Sequence, residues 1–193
     1  MKKIHLNFTL PVVLVLILAS CAMPPTEEMN RAQDAVTKAE NDADAVSYAG
    51  STLIRARDAL TRMQSEANAK RYDAAKNLAA EAISNAEKAV TDGKAAAARA
   101  KEEAANLVGS LAGPLAETAS ALNAARQINN LSLDFNALSG EMDSARRSYN
   151  DAQQSLSTNN YQDAIAKGQT VRSLLSDINA SLTGAAQAVS RKQ

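Results

Sequence analysis

Beyond residue 21 this 193-residue chain contains no histidine and no cysteine, since His5 is its only histidine and Cys21 its only cysteine. That excludes Ser-His-Asp and Cys-His nucleophilic sites and any metal held by imidazole or thiolate in the body of the protein. Tryptophan is absent, and two phenylalanines and four tyrosines are the whole aromatic complement. Carboxylate-only acid/base chemistry needs a sheltered pocket, and so few large side chains give little to wall one. A non-catalytic chain without cofactors is therefore expected. An excess of positive charge is also lacking: 21 Lys+Arg stand against 21 Asp+Glu, and loss of Lys2 and Lys3 with a leader would leave a net charge of about −2, which argues against nucleic acid as a partner. Gly93-Lys94 is followed by Ala95, with neither the upstream glycine nor the Ser/Thr of a phosphate loop, so no nucleotide site is expected.

What the sequence does have begins with an export signal. Lys2 and Lys3 precede an apolar stretch from Phe8 to Leu18, followed by Leu18-Ala19-Ser20-Cys21. These are a charged region, a hydrophobic region and a small-residue cleavage site in order. The stretch is interrupted by Thr9 and Pro11 and is shorter than the about 20 apolar residues of a membrane span. Leu18-Ala19-Ser20-Cys21 resembles the bacterial lipobox, which implies diacylglyceryl transfer to the Cys21 thiol, cleavage between Ser20 and Cys21, and further acylation (palmitate) of the new terminus. Two or more acyl chains, at about 0.8 kcal/mol per buried methylene, hold a protein on a bilayer where one barely does. Ala22 rather than Asp after the cysteine points to the outer membrane, periplasmic face. The expected organisation is a signal peptide over 1–20, a lipidated tether over 21–26 and two helical units over 27–108 and 109–193.

The body is Ala-rich and patterned for helices. A first helix is expected over about 27–47, its seam running Ala32, Val36, Ala39, Ala43 and Val46 in alternating steps of four and three. The pattern breaks at Tyr48-Ala49-Gly50-Ser51, with Gly50 as the turn, and resumes as Leu53, Ala56, Leu60, Met63 and Ala67. A third seam, Ala75, Ala79, Ala82, Ala86 and Ala89, keeps register through Gly93 to Ala96 and Ala100, favouring one continuous helix there. Charge then thins, with only Glu117, Arg126 and Asp134 between Gly109 and Gly140. Gly109-Ser110-Leu111-Ala112-Gly113-Pro114 reads as a linker, with Pro114 opening a new helix. Two final seams, from Leu138 to Leu156 and from Tyr161 to Val189, flank Asn159-Asn160 and predict an antiparallel hairpin. The fold class is all-α, an elongated antiparallel bundle of long coiled-coil-like helices.

A shift of 89 residues lays Ala56-Arg57 on Ala145-Arg146, Gln64 on Gln153 and Tyr72 on Tyr161, which suggests one helical unit used twice. Both tyrosines read as turn-packing residues. Ala56, Leu60 and Met63 followed by Lys70-Arg71-Tyr72-Asp73-Ala74-Ala75 resemble a tetratricopeptide helix-turn-helix, although no 34-residue period runs through the chain.

Residues 18–107 carry a closer likeness: the lipobox, an Ala-rich helix, the Tyr48-Ala49-Gly50 turn, the Ala56 to Leu60 helix, and Tyr72 leading into Ala-x-x-Ala repeats. This resembles the DUF4398 family of helical envelope lipoproteins. Gly50-Ser51 stands where the family has proline after the tyrosine turn, and residues 109–193 go beyond its usual extent. The resemblance implies fold and envelope location, and no activity.

Basic Arg55, Arg57, Arg62, Lys70 and Arg71 are expected to pair with an acidic first helix bearing Glu27, Glu28, Asp34, Glu40, Asp42 and Asp44. The uncharged stretch with Leu111, Leu115, Leu122, Ile128, Leu131 and Leu133 is expected to be core, with a contact surface as the other reading. The expected role is that of a lipid-anchored spacer or scaffold. It would bind membrane through the lipid on Cys21, and its partners would be envelope proteins or further copies of itself. The alternative is a periplasmic module binding a peptide or hydrophobic cargo. No binding residue can be assigned from the sequence.

Overall fold

A computed structural model describes residues 23–128 and 131–191. Leu18, Ala19, Ser20 and Cys21, with the expected lipobox, lie outside the described residues. Six helices follow in order: α1 (Thr26–Glu40), α2 (Ala43–Tyr48), α3 (Gly50–Asn68), α4 (Tyr72–Ala125), α5 (Phe135–Ser157) and α6 (Tyr161–Ser190). No strand occurs among the described residues. The fold is an all-α helical bundle.

The axis of the molecule is α4, 54 residues long, or about 81 Å at 1.5 Å per residue. Its first half packs against α1, α2 and α3, and its second half against α5 and α6. Cross-helix pairs give the directions. Lys76 on α4 reaches Glu28 on α1 at 3.5 Å, and 17 residues further along the chain from each of them Gly93 on α4 lies under Ala45 on α2, so the α1–α2 segment runs parallel to α4. The antiparallel return of α3 is marked by Arg57–Glu40 at 2.6 Å and Gln64–Gln33 at 3.5 Å. On the second half, Gly168 faces Leu107 and Asn179 donates to the Thr118 hydroxyl at 3.0 Å; these pairs place α6 parallel to α4, and Arg126 against Ser139 marks α5 as antiparallel to both.

Small residues make this packing possible. Ala32, Ala39, Ala56, Ala75, Ala79, Ala82, Ala86 and Ala89 are fully buried around Val36, Leu53, Leu60 and Met63. A second core gathers Leu107, Leu111, Leu122, Leu138, Met142, Ala145, Val171, Leu175 and Ile178. The Leu111 and Leu122 expectation of core is met, whereas Ile128 is exposed.

The structure carries the 89-residue shift down to hydrogen bonds. Lys70 and Asn159 are the two non-glycine residues with positive φ among those described. In the first turn Arg71 N–H bonds Glu66 O and Lys70 N–H bonds Ala67 O; in the second, Asn160 N–H bonds Ser155 O and Asn159 N–H bonds Leu156 O. Both are Schellman endings, the 6→1 and 5→2 pair that satisfies the last carbonyls of a helix. Beyond the turns, buried Ala75, Ala79, Ala82, Ala86 and Ala89 correspond to buried Ala164, Gly168, Val171, Leu175 and Ile178. The α3–α4 and α5–α6 hairpins thus share their turn geometry and the spacing of buried positions after it, filled by alanine in α4 and mostly by larger side chains in α6.

Five expectations are corrected. The first helix does not run to 47: it stops at Glu40, and the Asp42 carboxylate caps α2 by accepting from Ala45 N–H at 2.9 Å. The re-aimed α2 buries Ala45 and leaves Ala43 and Val46 exposed. Gly50 is not the turn residue but the first residue of α3, and Ala49 alone separates the helices. Gly109 to Pro114 is not a linker, and Pro114 opens no helix; α4 passes through all six residues, because Val108 and Leu111 before Pro114 and Thr118 and Leu122 after it are held in one buried row. The seam past Gly93 shifts to Ala97 and Ala104, leaving Ala96 and Ala100 half-buried. Of the expected pairings between acidic first helix and basic second helix, Arg57–Glu40 forms; Arg71 instead closes on Glu66 at the end of its own hairpin, and Glu28 pairs with Lys76.

Candidate functional site

The two cores are separated along the middle of α4, and the close approach of α2 there depends on Gly93. A Cβ at this position would lie 2.6 Å from the backbone nitrogen of Ala45 and 2.7 Å from its Cα, so α2 rests directly on the α4 backbone. Tyr48 ends α2 beside this crossing. From the other side comes the tip of the α5–α6 hairpin, where the Schellman turn sets Tyr161 as the first residue of α6 and the Tyr161 hydroxyl donates to Asn159 Oδ1 at 2.7 Å. Gln162 Nε2 reaches the Ser47 carbonyl at 3.4 Å, joining the hairpin tip to α2.

Between α2 and the hairpin tip lies a cleft of about 610 Å³. Ala97 and Ala98 form its floor, Tyr48 and Tyr161 stand at its sides, and Lys94 and Lys101 flank it along α4. The spacing of the lysines, two helical turns, puts both on one face of α4. Asp44 is the carboxylate that lines it. Burial, with smaller contributions from Asp44 and Tyr161, raises the Tyr48 hydroxyl above its ordinary pKa, so Tyr48 stays a neutral phenol throughout the physiological range. Among the described residues Lys94 and Lys101 form no ion pair, unlike Lys76, Lys88 and Lys167. Three smaller clefts have volumes of about 240 to 290 Å³.

Cys21, the one residue assigned a chemical role from sequence, lies outside this description, as do Leu18, Ala19 and Ser20. The sequence missed the cleft. Its residues come from three distant segments, and Tyr161 was read as turn packing alone. Among the described residues no group of three or more His, Cys, Asp or Glu could hold a metal, and no helix is long and apolar enough to cross a membrane.

The helices on the N-terminal side of this junction carry a family signature. Residues 27–107 match the model of DUF4398, a domain of unknown function. The DUF4398 match thus takes in α1, α2, α3 and α4 as far as Leu107, the residue with which the second core begins. It contains one wall of the cleft, Tyr48, Lys94 and Lys101, while Tyr161 lies beyond it. No curated protein and no solved structure matches the chain.

Proposed function

We propose that the protein is a bacterial envelope lipoprotein, held by acyl chains on Cys21 at the periplasmic face of the outer membrane, whose helical body acts as a non-catalytic spacer or scaffold. The observation that carries this reading is α4: a single helix of 54 residues, with a core at each end, gives reach without the bulk of a globular domain. The sequence adds the lipobox Leu18-Ala19-Ser20-Cys21, followed by Ala22 and a short tether to Thr26. Envelope proteins or further copies of the chain are its partners, reached from the exposed faces of the helices. The alternative, a groove for a peptide or hydrophobic cargo, has less support, since the apolar seams face inward and the cleft beside α2 is flanked by lysines.

The test is Cys21→Ser in cells, followed by fractionation and circular dichroism of the released protein. Movement from the membrane to the soluble periplasmic fraction with helicity retained is the expected result. Continued membrane association would overturn the lipid anchor. In the same cells, photo-crosslinkers on exposed positions of α4 should capture envelope proteins or a second copy, and their failure to capture either would overturn the scaffold.

A further inference from the structure

We infer that the cleft at the junction of the two hairpin units is a ligand site for a small ring-bearing oxyanion, a carboxylate or phosphate ester seated between Lys94 and Lys101 with its ring between Tyr48 and Tyr161. Its volume of about 610 Å³ falls within the about 300–1,000 Å³ of small-molecule sites.

Three features argue for this ligand chemistry. Two ammonium groups on one face of α4 with Asp44 as the single opposing carboxylate leave the cleft with an excess of one positive charge. Lysine serves as a point-charge donor to oxyanions. The tyrosines offer rigid amphipathic walls whose immobilisation costs little entropy, and Ala97 and Ala98 leave the floor flat, which suits a planar group rather than a branched chain. The walls are also fixed before any ligand arrives. The backbone that carries Tyr48 is held by the α2 cap at Asp42 and the Gly93 crossing, and Tyr161 by its bond to Asn159 and the Schellman turn. Such pre-organisation reduces the cost of binding.

The experiment is an amide chemical-shift titration of the full chain with four probes: phenyl phosphate, benzoate, inorganic phosphate and phenol. Phenyl phosphate or benzoate should give saturable shifts confined to residues 43–48, 94–101 and 159–162. Its affinity should be at least about tenfold above that of inorganic phosphate or phenol. The ratio of the two ring-bearing probes identifies the preferred oxyanion. The double variant Lys94→Ala/Lys101→Ala, on an exposed helix face where alanine is a better helix former, should keep its circular dichroism and lose about tenfold in affinity, while Lys88→Ala binds as wild type. The site is overturned if neither ring-bearing probe saturates, if shifts scatter over other surfaces, if inorganic phosphate binds as well as phenyl phosphate, or if the double variant binds unchanged.

Discussion

Lys70 and Asn159 hold the same left-handed backbone, φ 59° and 61°, at the same position of turns 89 residues apart. The conformation costs a residue with a Cβ about 1–2 kcal/mol, less for asparagine, whose short amide tolerates it. Glycine relieves that strain but raises the entropy of the unfolded chain by about 0.5–1 kcal/mol. Lys70→Gly should therefore stabilise by up to about 1 kcal/mol, and Asn159→Gly by close to nothing. Urea denaturation of the two variants measures the difference. Equal effects would mean that the backbone angle is not what distinguishes them.

Gly93→Ala should destabilise by about 2 kcal/mol or more, because the new methyl meets the backbone of Asp44 and Ala45, which cannot rotate away. Gly109→Ala and Gly113→Ala, in the same helix with nothing within 4 Å, should stabilise by about 0.5–1 kcal/mol. Gly168→Ala should fall between, since the obstacle is the end of the flexible Leu107 side chain. Thermal melts of the four variants test this order, and a Gly93→Ala protein as stable as Gly109→Ala would contradict the crossing.

Pro114 is exposed within α4, where it removes one backbone donor and crowds the carbonyl of Ser110. Pro114→Ala touches no buried side chain, so it should stabilise by up to about 3 kcal/mol, read as a higher denaturant midpoint with an unchanged slope. A loss of stability would show that the proline sets a bend the second core requires.

Asp163 accepts from Lys167 Nζ at 2.6 Å and from the Ser155 hydroxyl at 2.5 Å. These bonds, the lysine first, hold its carboxyl below the usual aspartate range. The contribution to stability is present above the unfolded-state pKa and is lost as pH falls through the folded one. Asp163→Asn should accordingly flatten the acid limb of the stability profile and leave the dependence above neutrality unchanged. An acid limb identical to that of the wild type would rule the pair out as a contributor.

The helices were legible because alanine at steps of three and four has one physical use, close approach along a seam, and Ala56, Ala82 and Ala145 are all buried as that rule requires. The break at Asn41–Asp42 was missed because Ala39, Ala43 and Val46 keep the seam's spacing across it; Asp42 with Asp44 in the following turn was the readable signal of a capped new start. Gly109 to Pro114 misled in the opposite direction. Local chemistry there favours a break, and burial of Val108, Leu111, Thr118 and Leu122 overrides it. The cleft was not legible at all, since Tyr48, Lys94 and Tyr161 become neighbours only through the Gly93 crossing and the hairpin tip.

Of the six helices only α4 enters both cores, and between Val90 and Leu107 neither core clamps it. That interval is about 25 Å of helix, and its buried positions are Gly93, Ala97 and Ala104, about half as densely spaced as those of the stretch from Ala75 to Val90. Fewer buried residues hold α4 there than within either core, so a lateral load on this rod bends it first between Lys94 and Lys101.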